Sequence, residues 1–97
     1  MARGMKLERR AGWRLPAGAK SVAYPSKWQN PFRPHERSHA ANAVAVEQFR
    51  IWLPQQRPEL IEQARTELAG HDLACWCDLD LPCHRSVWLR VAAGGEP

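Results

Sequence analysis

Five residues, Leu73-Ala-Cys-Trp-Cys77, follow a glycine stop at Gly70 and precede the turn-rich stretch Asp78-Leu-Asp-Leu-Pro82. A mostly apolar run this short reads as a buried strand. Helical periodicity flanks it on both sides. Upstream, Ser38 is suited to cap a helix running to about Leu53, with Ala45, Val46, Phe49, Trp52 and Leu53 at spacings of one, three and four. Pro54 is expected to end it, because a proline disfavours αR geometry at the residue before. A second helix opens at Pro58, with Glu59 and Glu62 near the positive end of its dipole, Leu60, Ile61, Ala64 and Leu68 as its buried stripe, and Gly70 as its C′ residue. Downstream, Cys83 to Ala93 forms a third helix, with Val87, Trp88 and Val91 inward and Gly94-Gly95 closing it.

An earlier β-favouring piece, Ser21-Val-Ala-Tyr24, is stopped by Pro25 and gives a short strand flanked by loops. The element order is strand, helix, helix, strand, helix. Helical crossovers between buried strands make a small Rossmann-like layered α/β domain, with a short, mostly parallel sheet and about three helices. A chain of 97 residues has room for one hydrophobic core. Residues 1–11 lack apolar periodicity and are expected to be a flexible basic arm, leaving 12–97 as the single domain.

No stretch approaches the roughly 18 apolar residues that cross a bilayer, and the N-terminus carries no apolar signal core, so a cytoplasmic location and no membrane partner are expected. Three cysteines, two of them one residue apart, do not make a disulfide framework. Reduced thiols are left for a metal or for chemistry. The net charge of +4 divides unevenly: residues 1–39 hold nine Lys/Arg and two Glu, whereas residues 40–97 hold five Arg and eight acidic groups. Interleaved with Trp13, Tyr24, Trp28 and Phe32, the basic half has the composition of a surface for nucleic acid, and equally that of a solvated arm.

Cys77 near the end of a strand, and Cys83-His84 at the start of a helix, fall where open α/β sheets form ligand sites. A thiol in the first helical turn has its thiolate favoured by the dipole, with Arg85 beside it adding to the effect. Cys83 is thus the candidate nucleophile and His84 the candidate proton carrier. Cys75, Cys77, Cys83 and His84 are also a Cys₃His set of the kind zinc accepts, although successive residues on a helix diverge by about 100° and work against a single centre. Cys75 in mid-strand fits the core better than it fits chemistry. Trp76 and Trp88 are expected core residues. In the loop Pro25–Phe32, Pro31 forces Asn30 toward extended backbone. Were the strands parallel, Asn30 would face the cysteines across a cleft, with Lys27 and Arg33 placed to hold an anion.

Three segments, Gly12-Trp-Arg-Leu-Pro16, then Val22 through Ser26-Lys-Trp-Gln-Asn-Pro-Phe32, and Leu73-Ala-Cys-Trp-Cys77 leading to Pro82-Cys-His84, resemble the bacterial and phage domain-of-unknown-function family numbered 4326. The resemblance spans residues 12 to about 93. It implies that Trp28, Asn30, Pro31 and Phe32 work with the C-terminal cluster as one unit, and that the protein is a phage or actinobacterial product. Arg85 stands where a small residue is commoner in that family. A fainter likeness, at Cys83-His-Arg85, is to another uncharacterised family, numbered 488. Neither resemblance supplies an activity.

Three functions are therefore expected to compete. The first is a cleft for a nucleotide or other phosphorylated ligand, bound by Lys27, Trp28, Asn30, Pro31, Phe32, Arg33, Cys77 and Arg85, with chemistry assisted by Cys83 and His84. The second is a zinc-supported nucleic-acid-binding module. The third is a phage accessory protein that binds a host protein, with purely structural cysteines.

Overall fold

The strand marked by the sequence is the centre of the sheet. A computed structural model describes residues 2–97, with β1 at Gly4–Lys6, β2 at Lys20–Ser21, α1 at His39–Gln56, α2 at Pro58–Glu67, β3 at Leu73–Cys75 and α3 at His84–Ala92. The order is β1-β3-β2, and both pairings are parallel. Met5 lies opposite Ala74 on one edge of β3, and Ser21 lies opposite Ala74 on the other. A strand hydrogen-bonded on both edges has no free backbone to solvate, which is why all of β3 is buried. The helices pack on one another, and α3 lies against both β1 and β3. The protein is a small α/β domain with a three-stranded parallel sheet and three helices.

Three sequence expectations need correction. The first concerns the N-terminal arm, of which Met1 lies outside the described residues. Residues 4–6 are a strand of the sheet, and the Leu7 amide donates to the Cys75 carbonyl at 2.9 Å while its side chain joins the core. β1 is invisible to periodicity because it is three residues long, and its partner lies about 70 positions along the chain. Gly4 permits this docking: a Cβ there would come within 2.8 Å of Arg85 Nε.

The second concerns α1, which runs through Pro54 to Gln56. Proline costs a helix the bond from its missing N–H, yet the Arg57 amide still closes the last turn on the Leu53 carbonyl at 2.9 Å. Ser38 caps the other end, its hydroxyl accepting from the Ala41 amide at 3.1 Å. The third concerns Trp76. β3 ends at Cys75, one position before it, and its side chain is 38% exposed, whereas Trp88 is fully buried as expected. The early strand is Lys20–Ser21, so it shares only Ser21 with its β-favouring piece, although the Val22 amide extends the ladder to the Ala74 carbonyl at 2.9 Å.

The core holds Phe49 and Leu53 of α1, Leu60 and Ala64 of α2, and Val87, Trp88 and Val91 of α3. Phe49 and Trp88 meet edge to face at 5.6 Å, and Trp28 meets Trp88 in the same manner at 4.9 Å. Because Leu7 is nearly buried in this core, Leu7→Ala should cost about 2 kcal/mol, a fall in Tm of roughly 8–16 °C for a domain of this size. Thermal unfolding followed by circular dichroism measures it, and an unchanged Tm would return residues 1–11 to the status of a loose arm.

Candidate metal centre

α3 begins one residue later than the sequence suggests. Cys83 is its N-cap, with extended backbone at φ −151° and ψ 146°, and His84 is the first helical residue. That single change removes the objection to a shared centre. Two successive helical residues diverge, but an extended residue followed by a helical one need not. Cys83 Sγ and His84 Nδ1 converge to 3.7 Å, and with Cys75 Sγ they form a buried trio whose ligand atoms all lie within 4.8 Å of one another. For zinc at about 2.3 Å from sulfur and 2.0–2.1 Å from nitrogen, the edges of a tetrahedron are roughly 3.5–3.8 Å. Closing the trio onto an ion therefore asks for small movements.

The histidine is oriented for this role. Its Nε2–H donates to the Val22 carbonyl at 2.6 Å, where the chain leaves β2, so the proton is committed there and the Nδ1 lone pair faces Cys83. A backbone carbonyl that fixes the tautomer in this way is the usual support of a metal-ligating histidine. Phe49 packs edge-on against the ring at 5.6 Å. Burial lowers the His84 pKa and keeps the imidazole neutral, the form that binds metal.

The neighbouring thiols of Cys77 and then Cys83 pull the Cys75 pKa well below the ordinary thiol range, in spite of burial. Cys83 moves the other way, pushed up first by Cys75, then by Cys77 and by burial. Cys77 is also raised, mainly by Cys75. The pull toward the thiolate thus falls on Cys75 and not on Cys83 at the helix entrance. All three cysteines are free. The set is soft and compact, and it fits zinc.

A cleft of about 150 Å³ opens beside the cluster, and Asn30, Phe32, Arg33, Cys77, Cys83 and His84 are among its lining residues. Asn30 thus borders the same cleft as the cysteines, but both ends of its amide are engaged. Nδ2 donates to the Ala45 carbonyl at 3.0 Å, and Oδ1 accepts from the Phe32 amide at 2.8 Å. Arg33 reaches over the Tyr24 ring, 5.5 Å from its centroid. Four expected ligand-binding residues lie elsewhere. Trp28 is core. Arg85 is buried and donates to the Met5 and Cys77 carbonyls at 3.0 and 3.3 Å, so it fastens β1 to the end of β3 and holds no anion there. Lys27 binds Glu67 and Gln63 at 3.0 and 2.9 Å, and with Pro31 it borders a different hollow of about 350 Å³ on the α1–α2 side.

Asn42 escaped the sequence reading. It is buried on α1 at the helical spacing of Ala45 and Phe49, and its Nδ2 donates to the Pro82 carbonyl at 3.1 Å, next to Cys83. A polar residue in register with an apolar stripe was the available signal. Its Oδ1 has no partner.

A small layered α/β fold carrying a buried cysteine–histidine cluster at the end of its central strand defines a domain able to coordinate a metal ion. The chain belongs to the family described as Domain of unknown function (DUF4326), whose sequence model matches residues 5–94. That match begins inside β1, in agreement with its place in the domain. No curated protein and no solved structure matches the chain.

The depressed His84 pKa carries a sign. An unfolded chain protonates this imidazole below about pH 6.5, whereas the folded chain resists, so stability is complete above that value and declines as the pH falls toward the folded pKa. In the metal-free protein, unfolding free energy from urea titrations should drop between pH 7 and 5. His84→Gln places an amide nitrogen where Nε2 lies and should flatten that dependence; an equally steep slope in the variant would remove His84 as its origin.

Proposed function

We propose that this domain is a zinc-supported module, with Cys75 Sγ, Cys83 Sγ and His84 Nδ1 as ligands and Cys77 completing a Cys₃His set. The convergence of the three buried ligand atoms within 4.8 Å carries the reading. Cys77, the remaining thiol, lies outside that trio but lines the adjoining cleft with Cys83 and His84, which makes it the candidate fourth ligand. Zinc bound there would join the end of β3 to the start of α3 and add its binding energy to folding. Four protein ligands leave no open position, so the ion would stabilise structure and take no part in a reaction.

The nucleotide reading draws less support. The cleft beside the cluster is smaller than the roughly 300–1,000 Å³ typical of small-molecule sites. Of the two cations expected to hold a phosphate, Lys27 is engaged by Glu67 in the larger hollow on the other side. The basic N-terminal half favours nucleic acid as the partner over a free nucleotide, because its cations are spread along a surface. A Rossmann-like layering is supported by the parallel order β1-β3-β2 and by a site at the carboxyl end of the central strand.

Metal analysis of protein purified without chelator should find about one equivalent of zinc, and Cys75→Ser or Cys83→Ser should abolish it. Cys77→Ser should weaken zinc binding by at least about tenfold. Chelation should lower the Tm by roughly 10 °C or more, reversibly on adding zinc back. A chain that is metal-free as purified, with a Tm indifferent to added zinc, would overturn the reading.

A further inference from the structure

Trp76 follows the last residue of β3, in a bend that leads on to Cys77. Trp28 and Trp88 are buried, whereas Trp76 presents its ring at the surface, where a large aromatic gains nothing from the core. The Arg9 guanidinium lies over that ring, 4.3 Å from its centroid. Hollows of about 420 and 490 Å³ open on either side, and Trp76 and Arg37 belong to both. Lys6 borders the second. Lys6 and Arg37 bind the same carboxylate, Asp78, which places two cations around one anion beside the ring. The other local carboxylates are Glu8, paired with Arg10 at 3.5 Å, and Glu36, paired with His35.

We propose that Trp76, flanked by Arg9, Lys6 and Arg37, is a stacking platform for a base of single-stranded nucleic acid, with the cations taking adjacent phosphates. Arg9 already lies against the ring as a flat cation, and exchanging it for a base releases its charge to the backbone. A single strand suits the site because its bases are free to stack, whereas a duplex keeps its faces covered. The proposal rests on the zinc reading in one respect: ligation of Cys75 and Cys77 would fix the backbone on both sides of Trp76.

The test is fluorescence anisotropy of the full-length, zinc-analysed protein with labelled oligo-dT, labelled oligo-rU and a duplex of equal length. Both single strands should bind in a salt-dependent manner and the duplex more weakly, the tighter of dT and rU showing which sugar the site prefers. Trp76→Leu should weaken binding at least about fivefold and Trp76→Phe by less. Arg9→Ala should lower the log–log salt slope by about 0.7. Equal affinity for duplex and single strand, no salt-sensitive binding to either single strand, or wild-type affinity in Trp76→Leu would each overturn the proposal. Should the tryptophan variants not fold, Arg9→Glu at the exposed neighbour decides, since unchanged affinity there is equally fatal. Zinc content separates the two readings: binding by a metal-free wild type refutes the zinc centre and leaves the platform standing, and a zinc-loaded chain that binds no strand does the reverse.

Discussion

β3 is hydrogen-bonded in parallel on both edges, and the rest of the domain depends on that. Three residues can hold a sheet together only if each is buried and paired, and Leu73, Ala74 and Cys75 are. The pairing draws in the N-terminal segment on one side and the segment before Val22 on the other, joining regions about 70 and 53 positions away. It also sets Cys75 at a fixed point from which Cys77, Cys83 and His84 are all within reach. Without this strand neither the core nor the cluster has a frame.

Two backbone carbonyls tie the cluster to that frame. The Val22 carbonyl, one residue past β2, takes the His84 proton and leaves the other ring nitrogen facing the sulfurs. The Cys77 carbonyl accepts from Arg85, whose guanidinium also binds the Met5 carbonyl of β1. A cation that the sequence marks for ligand binding thereby fastens the outer strand to the segment carrying Cys77. Buried arginine is costly unless its donors are used, and here one terminal nitrogen serves both the Met5 and the Cys77 carbonyls. The chemistry of the site and the stability of the sheet are thus held by neighbouring hydrogen bonds.

Much of this was legible in the chain. The helices announced themselves through stripes such as Leu60, Ile61, Ala64 and Leu68, and through Ser38 and Pro58 at their starts, while Gly70, with its positive φ of 78°, lies one position beyond the C′ place expected of it because α2 is capped at Leu68. The cysteines and the histidine stood out by type and spacing. β1 did not, because a three-residue strand has no period to read. The continuation of α1 through Pro54 was hidden because a proline near a helix end costs little when the following turn still closes. Asn42 was passed over because it sits inside an apolar stripe, and Trp76 was read as core because the end of β3 at Cys75 is set by its distant partners and not by local pattern.

By itself the sequence determined an α/β chain with a soft, metal-compatible ligand set near the end of a strand, since those properties reside in residue type and local period. Only the tertiary structure decided which of those groups meet. It placed Lys27 in an ion pair, Trp28 in the core and Arg85 on backbone carbonyls, removed the angular objection to Cys83 and His84 by making Cys83 an extended cap, and left Trp76 partly exposed. The physical reason is that burial and convergence are set by contacts between segments tens of residues apart, and local propensity carries no information about which distant segment will arrive.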